Sequence, residues 1–149
     1  MLFRSPEPAP VRAVASDTEI RVLEVPEARL EAVLESLAAG EVRLRLVAGM
    51  RDGKGRLLLV VPLQDIHGVE TFDAGMRALG AEPKAGLGTV TLAGPGVGTD
   101  STVLARALGV AVGEGIAVHA LHGSPLQLTF VVDGQLVGPL ARELHRATG

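Results

Sequence analysis

The hydrophobic and polar positions of this chain follow one order of elements twice. In each round, an alternating stretch typical of a half-buried strand precedes an apolar pattern of helical period, and a hairpin of two strands and a second helix follow. The two rounds lie about 70 residues apart. The sequence therefore predicts an α+β fold of two small modules, an arrangement that favours sensing a small molecule over transforming one.

The first round contains a complete set of four strands and two helices. The predicted elements are a strand around 19–23, a helix at 26–40, strands at 42–46 and 57–61, a helix at 69–79 and a strand at 81–87. The turn Asp52-Gly53-Lys54-Gly55 joins the two middle strands. We expect Gly40 and Gly80 to end the two helices.

The second round lacks its last strand. Its predicted elements are a strand at 89–92, a helix through 103–108 capped by Thr99, Asp100 or Ser101, strands at 116–121 and 126–132, and a helix at 136–144. Residues 11–16 alternate like a strand that the first module does not need. We expect this N-terminal strand to complete the second module, which gives a lead-in at 1–10, module one at 18–88, and module two at 11–17 plus 89–149.

Composition excludes several classes of function. The longest apolar run, 57–61, is too short to cross a bilayer, and residues 1–10 do not resemble a signal peptide, so we expect a cytoplasmic protein with no membrane partner. The 149 residues include no cysteine. Net charge is -3, and three Phe stand without Tyr or Trp, which disfavours nucleic acid as a partner.

The glycine-rich turn from Gly94 to Asp100 is the best local indication of a binding site. It lies between a strand and a helix, where backbone N–H groups can hold a carboxylate. It lacks the Gly-Lys-Ser/Thr of a nucleotide loop, and Thr99 stands where a dinucleotide fingerprint needs its third glycine. Binding of a ligand carboxylate to Gly96–Asp100 and a tight turn without a ligand both remain open.

Residues suited to catalysis or metal binding are not arranged for it. If His119 and His122 lie on one strand, they point to opposite faces and cannot share a metal ion. The carboxylates Glu24, Glu27, Glu31 and Glu35 are expected along one helix, where they have the usual composition of a solvated face. We therefore expect no catalytic residues, no metal and no cofactor.

Three segments carry a resemblance to a known family. Thr91–Thr99, Gly115–Leu121, and Val14–Asp17 running into Glu19–Leu23 resemble the C-terminal regulatory region of aspartokinase, a tandem pair of ACT domains. The resemblance implies two ferredoxin-like βαββαβ modules side by side that form a homodimer. It also implies an amino-acid effector of the lysine or threonine class, bound where modules from different chains meet.

The resemblance also implies the positions of an effector site. They are Glu24, Val25 and Pro26 in the first module, and Gly96, Val97, Gly98, Thr99, Asp100, His119, Leu121, His122 and Ser124 in the second. The chain departs from the family in its short, glycine-free first turn and in Ser101-Thr102, where the family has Pro-Gly. The expected function is a non-catalytic regulatory module with a catalytic protein as a further partner; the alternative is an interaction protein that keeps the dimer interface and has lost effector binding.

Overall fold

The computed structural model describes residues 8–50 and 55–148, and these divide into two compact units. One unit contains the described residues up to Asp17 and from Thr89 onward, and the other runs from Thr18 to Gly88. In chain order the elements are β1 (Ala13–Asp17), β2 (Ile20–Pro26), α1 (Leu30–Ala39), β3 (Leu46–Met50), β4 (Arg56–Pro62), α2 (Val69–Ala78), β5 (Glu82–Lys84), β6 (Leu87–Ala93), α3 (Ser101–Gly113), β7 (Ala120–Ser124), β8 (Gln127–Asp133) and α4 (Val137–Thr148). The predicted turn at 52–55 and most of the lead-in at 1–10 lie outside the described residues.

Each unit contains a four-stranded sheet and two helices. The strand orders are β3-β4-β2-β5 in the 18–88 unit and β1-β6-β8-β7 in the other. The N-terminal strand β1 pairs antiparallel with β6, from Ala13 opposite Ala93 to Asp17 opposite Thr89. This confirms the α+β fold of two ferredoxin-like modules, with the second module completed by the N-terminal strand.

Alternating residues of the central strands form the core of each unit because successive side chains of a strand point to opposite faces. In the second unit, Leu92 of β6 and Phe130 of β8 are fully buried in one cluster with Leu140 of α4. In the 18–88 unit, Leu23 of β2 and Leu59 of β4 belong to the corresponding cluster. None of the helices in the described part of the chain has the length and hydrophobicity needed to span a membrane.

Helices α1, α2 and α3 end in the same way. Beyond each helix, a residue of left-handed conformation is followed by an apolar residue whose N–H donates to a carbonyl five residues back. The left-handed residues are Glu41 (φ 56), Gly80 (φ 90) and Gly115 (φ 68). The donors that follow them are Val42 to Leu37, Ala81 to Met76, and Ile116 to Ala111. Gly40 directly follows the last residue of α1, as predicted, and the left-handed residue is the next one, Glu41.

These helix ends also shift the strands that follow them. We predicted strands at 42–46 and 116–121, but β3 begins at Leu46 and β7 at Ala120. Val42 and Ile116 are used to close the preceding helix, and the first bonds to the sheet come from Arg45 N–H to Val60 and His119 N–H to Val131, both at 2.8 Å. The strand predicted at 81–87 is also shorter, and β5 spans three residues around Pro83.

Candidate functional site

The glycine-rich turn of the second unit packs against the β7–β8 hairpin. The N–H of Gly96 donates to the carbonyl of Pro125 at 2.6 Å, and the N–H of Gly94 donates to that of Leu126 at 3.0 Å. At Gly98 an added β-carbon would lie 1.9 Å from the carbonyl oxygens of both Ser124 and Gln127. Gly98 is therefore needed for contact between two backbone segments, and the hairpin covers part of the turn to which a ligand carboxylate was predicted to bind.

Most amides of the turn already have acceptors inside the protein. The N–H of Val97 donates to Gly94 at 3.1 Å and that of Thr99 to Gly96 at 3.2 Å. Asp100 is the residue that caps α3, since its Oδ1 accepts from Thr102 N–H at 2.8 Å and Val103 N–H at 3.2 Å. A ligand carboxylate would have to compete with these acceptors, which argues against the predicted placement of such a group on Gly96–Asp100.

The carboxylate of Asp100 has a second contact. Its Oδ2 accepts from the N–H of Ala9 at 2.8 Å, a hydrogen bond across 91 positions of sequence. This bond, followed by that from Val103, holds the pKa of Asp100 below its ordinary value, with smaller contributions from Thr102 and the charge of Arg106, against an upward effect of burial. Asp100 is therefore the residue of the turn best placed to carry a negative charge at neutral pH.

The remaining predicted residues of the second unit lie along β7. Leu121 packs against the core, whereas Ser124 contacts Gly98 through its backbone. His119 lies just before the strand, with its Nε2 2.8 Å from Asp133 Oδ1. His122 is paired with Thr129 across the ladder. Within the described residues, no group of three His, Asp or Glu side chains is arranged to hold a metal ion.

In the 18–88 unit, Glu24 lies on β2 and not on the helix where we expected it, and it belongs to a group of three charges. Its Oε1 pairs with Arg56 and its Oε2 lies 3.8 Å from Lys84 Nζ. The Glu24 side chain is 23% exposed, against 48% for Arg56 and 45% for Lys84, so both cations remain accessible to a ligand. Sequence reasoning singled out Glu24 but missed both cations, because they come from the neighbouring strands β4 and β5.

The other two predicted residues of this unit contribute less. Val25 is fully buried in the core, so only its backbone can contact a ligand. Pro26 ends β2 and precedes a short 3-10 turn, Glu27–Arg29. The N–H of Glu27 donates to the carbonyl of Gly55 at 2.7 Å, which ties this turn to the start of β4.

Comparison with solved structures relates this architecture to one group of proteins. The regulatory subunit of aspartate kinase from Thermus thermophilus, in a ligand-free form, matches with a TM-score of 0.75 and 15% identity over 93% of this chain and 99% of that chain. The corresponding subunit from Thermus flavus matches with a TM-score of 0.73 and 15% identity over 94% and 99%. The chain has the fold of the aspartate kinase regulatory subunits.

A longer relative shows the same fold as part of a larger chain. Aspartate kinase from Clostridium acetobutylicum matches with a TM-score of 0.79 and 11% identity over 98% of this chain but 37% of that chain. No protein-family model and no curated protein matches the sequence. The resemblance drawn from Thr91–Thr99 and two other segments agrees with these structures in fold.

Proposed function

We propose that this protein is a non-catalytic regulatory module that binds a small amino acid of the lysine or threonine class at a dimer interface. The observation that carries the proposal is the match, over nearly the full length of both chains, with regulatory subunits of aspartate kinase. By the same argument, a catalytic protein would be its partner and the cytoplasm its location.

The charges around Glu24 support an amino acid as the ligand. Every free amino acid carries an α-ammonium and an α-carboxylate, and a site for it needs acceptors and cationic donors close together. Glu24 can accept hydrogen bonds from the ammonium of the ligand. Arg56 and Lys84, which both form ion pairs with Glu24, can bind the carboxylate of the ligand. This site in the 18–88 unit is our leading candidate.

A thermal unfolding screen against the twenty amino acids tests the proposal. A ligand that binds only the folded protein at 100 times its Kd stabilises it by about 2.7 kcal/mol, so lysine or threonine should raise Tm. Circular dichroism is the suitable signal, because the chain has no Trp or Tyr. Glu24→Gln should reduce the response, whereas the matched change Glu35→Gln on the exposed face of α1 should preserve it.

A lack of response to all twenty amino acids would favour the second candidate, an interaction protein that has lost effector binding. One observation favours it already: the amides of Gly96, Val97 and Thr99 are occupied by acceptors within the protein. Sedimentation does not separate the two candidates, since both keep the dimer interface. Sedimentation tests whether the interface exists, and the measured mass should be at least twice the 15.4 kDa of one chain.

The surface supports the expected association. Val112 is 71% exposed and Leu126 is 63% exposed, which are high values for large apolar side chains.

The proposal also requires that the protein lacks kinase activity of its own. Incubation with aspartate, ATP and magnesium should leave aspartate unmodified, and aspartyl phosphate formed by a clean preparation would contradict this part of the proposal.

A further inference from the structure

Residues 8–12, which we call the strap, lie against the glycine-rich turn of the second unit. The N–H of Ala9 donates to Asp100 Oδ2 at 2.8 Å, and the N–H of Arg12 donates to the carbonyl of Ala93 at 2.8 Å. Between them, the carbonyl of Pro10 is so close to Gly94 that an added β-carbon there would lie 2.3 Å from it. The strap is therefore fixed at both ends of the turn.

Little of the strap is buried. Pro8 and Pro10 have no N–H, so Ala9 carries the only backbone donor among the first three strap residues. Pro8, Pro10 and Arg12 are exposed, and only Ala9 and Val11 are partly buried against the core. A segment with so little buried surface can open without unfolding the rest of the unit.

A cavity of about 280 Å³ lies beside the strap. It is lined by strap residues together with Val103 and Arg106 of α3 and Thr148 of α4. The cavity is close to the lower end of the range of small-ligand sites, and Arg106 supplies a cation at its wall. Opening of the strap would enlarge it and free one oxygen of Asp100.

We propose that the strap is a latch that an amino acid opens, by placing its ammonium on Asp100 Oδ2 and its carboxylate toward Arg106. A charged ammonium is a stronger partner for a carboxylate than the neutral N–H of Ala9. The Oδ1 atom stays on the amides of Thr102 and Val103, so α3 remains capped. This inference rests on the proposed function, since it needs an amino acid as ligand, and it adds a second site, in the second unit, to the one around Glu24.

Hydrogen exchange in the full chain tests the latch without any ligand. Asp100→Asn keeps one oxygen for the cap but replaces the acceptor of the Ala9 N–H by an amide group. Loss of a charge-assisted hydrogen bond of ordinary strength should speed exchange of the Ala9 amide about tenfold or more. Asp133→Asn, an equivalent change at an exposed position of the same unit, should leave the rate unchanged.

The amide of Ala107, inside α3, shows whether the helix survives in the Asp100→Asn variant. Fast exchange at Ala9 with slow exchange at Ala107 supports the latch, and unchanged exchange at Ala9 overturns it. If both amides exchange faster, the latch is tested instead in a chain without residues 1–12, which keeps β1 and Asp100 intact. Binding and strap opening are linked, so a ligand that needs the open strap should bind the shortened chain more tightly than the full chain. The gain in affinity should equal the ratio of closed to open strap in the full chain without ligand.

Lysine and threonine are the probes for the ligand step, with sodium chloride at equal ionic strength as control. A probe that raises Tm should also speed exchange at Ala9, and removal of residues 1–12 should increase its affinity. A probe that raises Tm but leaves both quantities unchanged overturns the latch while leaving the proposed function standing. If no amino acid binds, both the proposed function and the opening of the strap by a ligand are refuted. Exchange of the Ala9 amide in Asp100→Asn then decides only whether Asp100 holds the strap.

Discussion

Replacement of Gly98 by alanine should destabilise the second unit although it adds a single methyl group. The new β-carbon would lie 1.9 Å from two carbonyl oxygens, where real β-carbons do not occur below 3.0 Å, so the hairpin must move by about 1 Å or more. Overpacking of this kind costs about 1–3 kcal/mol. The same movement strains the bonds from Gly96 and Gly94 to the hairpin, each worth about 1 kcal/mol. We expect a loss of about 3–5 kcal/mol in the free energy of unfolding.

Gly109→Ala is the matched control, because a β-carbon at that position in α3 has no atom within 4 Å. Alanine in a helix interior is about 0.5–1 kcal/mol more favourable than glycine, so this variant should be slightly stabilised. Urea unfolding followed by far-ultraviolet circular dichroism measures both changes. A Gly98→Ala variant within 0.5 kcal/mol of the wild type would refute the packing role.

Three further predictions concern other parts of the chain. Because the folded-state pKa of Asp100 is lowered, its stabilising contribution is present above pH about 4 and is lost as the pH falls below that value. The difference in urea stability between wild type and Asp100→Asn should therefore shrink between pH 5 and 3. A constant difference would contradict this prediction. Glu41→Gly should stabilise the 18–88 unit by about 0.5–1 kcal/mol in urea, since glycine adopts φ 56 without steric cost, whereas Glu35→Gly in the interior of α1 should destabilise it. Removal of residues 1–17 exposes the edge of β6 and should lower Tm and cause aggregation in sedimentation; a soluble chain with unchanged Tm would show that β1 is dispensable.

The order of the elements could be predicted because each element carries its own local period. Strand alternation marks β2 and β8, and helical spacing marks α1 and α4, with no need of long-range information. The place of β1 could be predicted as well, by counting strands: the second round was one strand short and residues 11–16 were unused. This argument depends only on the sheet needing a partner at its edge.

The starts of β3 and β7 could not be predicted by the same means. Val42 and Ile116 fit the alternation of a strand and the end of a helix equally well, and only the left-handed residues before them decide. At α3 that residue is a glycine, Gly115, but at α1 it is Glu41, which gives no sequence signal. Gly40 correctly marks the end of α1, but it does not indicate that Val42 closes the helix and is not part of β3.

The contacts of the candidate sites were beyond sequence reasoning because they join distant residues. Asp100 was one of three possible caps, and its bond to Ala9 spans 91 positions. Glu24 meets Arg56 32 positions away, and Lys84 approaches from β5. The turn from Gly94 to Asp100 was expected to hold a carboxylate on its N–H groups, but Gly94 and Gly98 serve the close approach of neighbouring backbone.

The pairing of β1 with β6 has a consequence for the order of folding during synthesis. The entire 18–88 unit is inserted between these two strands, so β1 leaves the ribosome about 70 residues before its partner exists. The inserted unit has all four of its strands and can fold in that interval, which brings Asp17 and Thr89 close together and shortens the remaining loop. We expect β1 to be among the last of these strands to find its place, although it is made before its partner. Variants that slow the folding of the 18–88 unit should therefore also delay the pairing of β1 with β6.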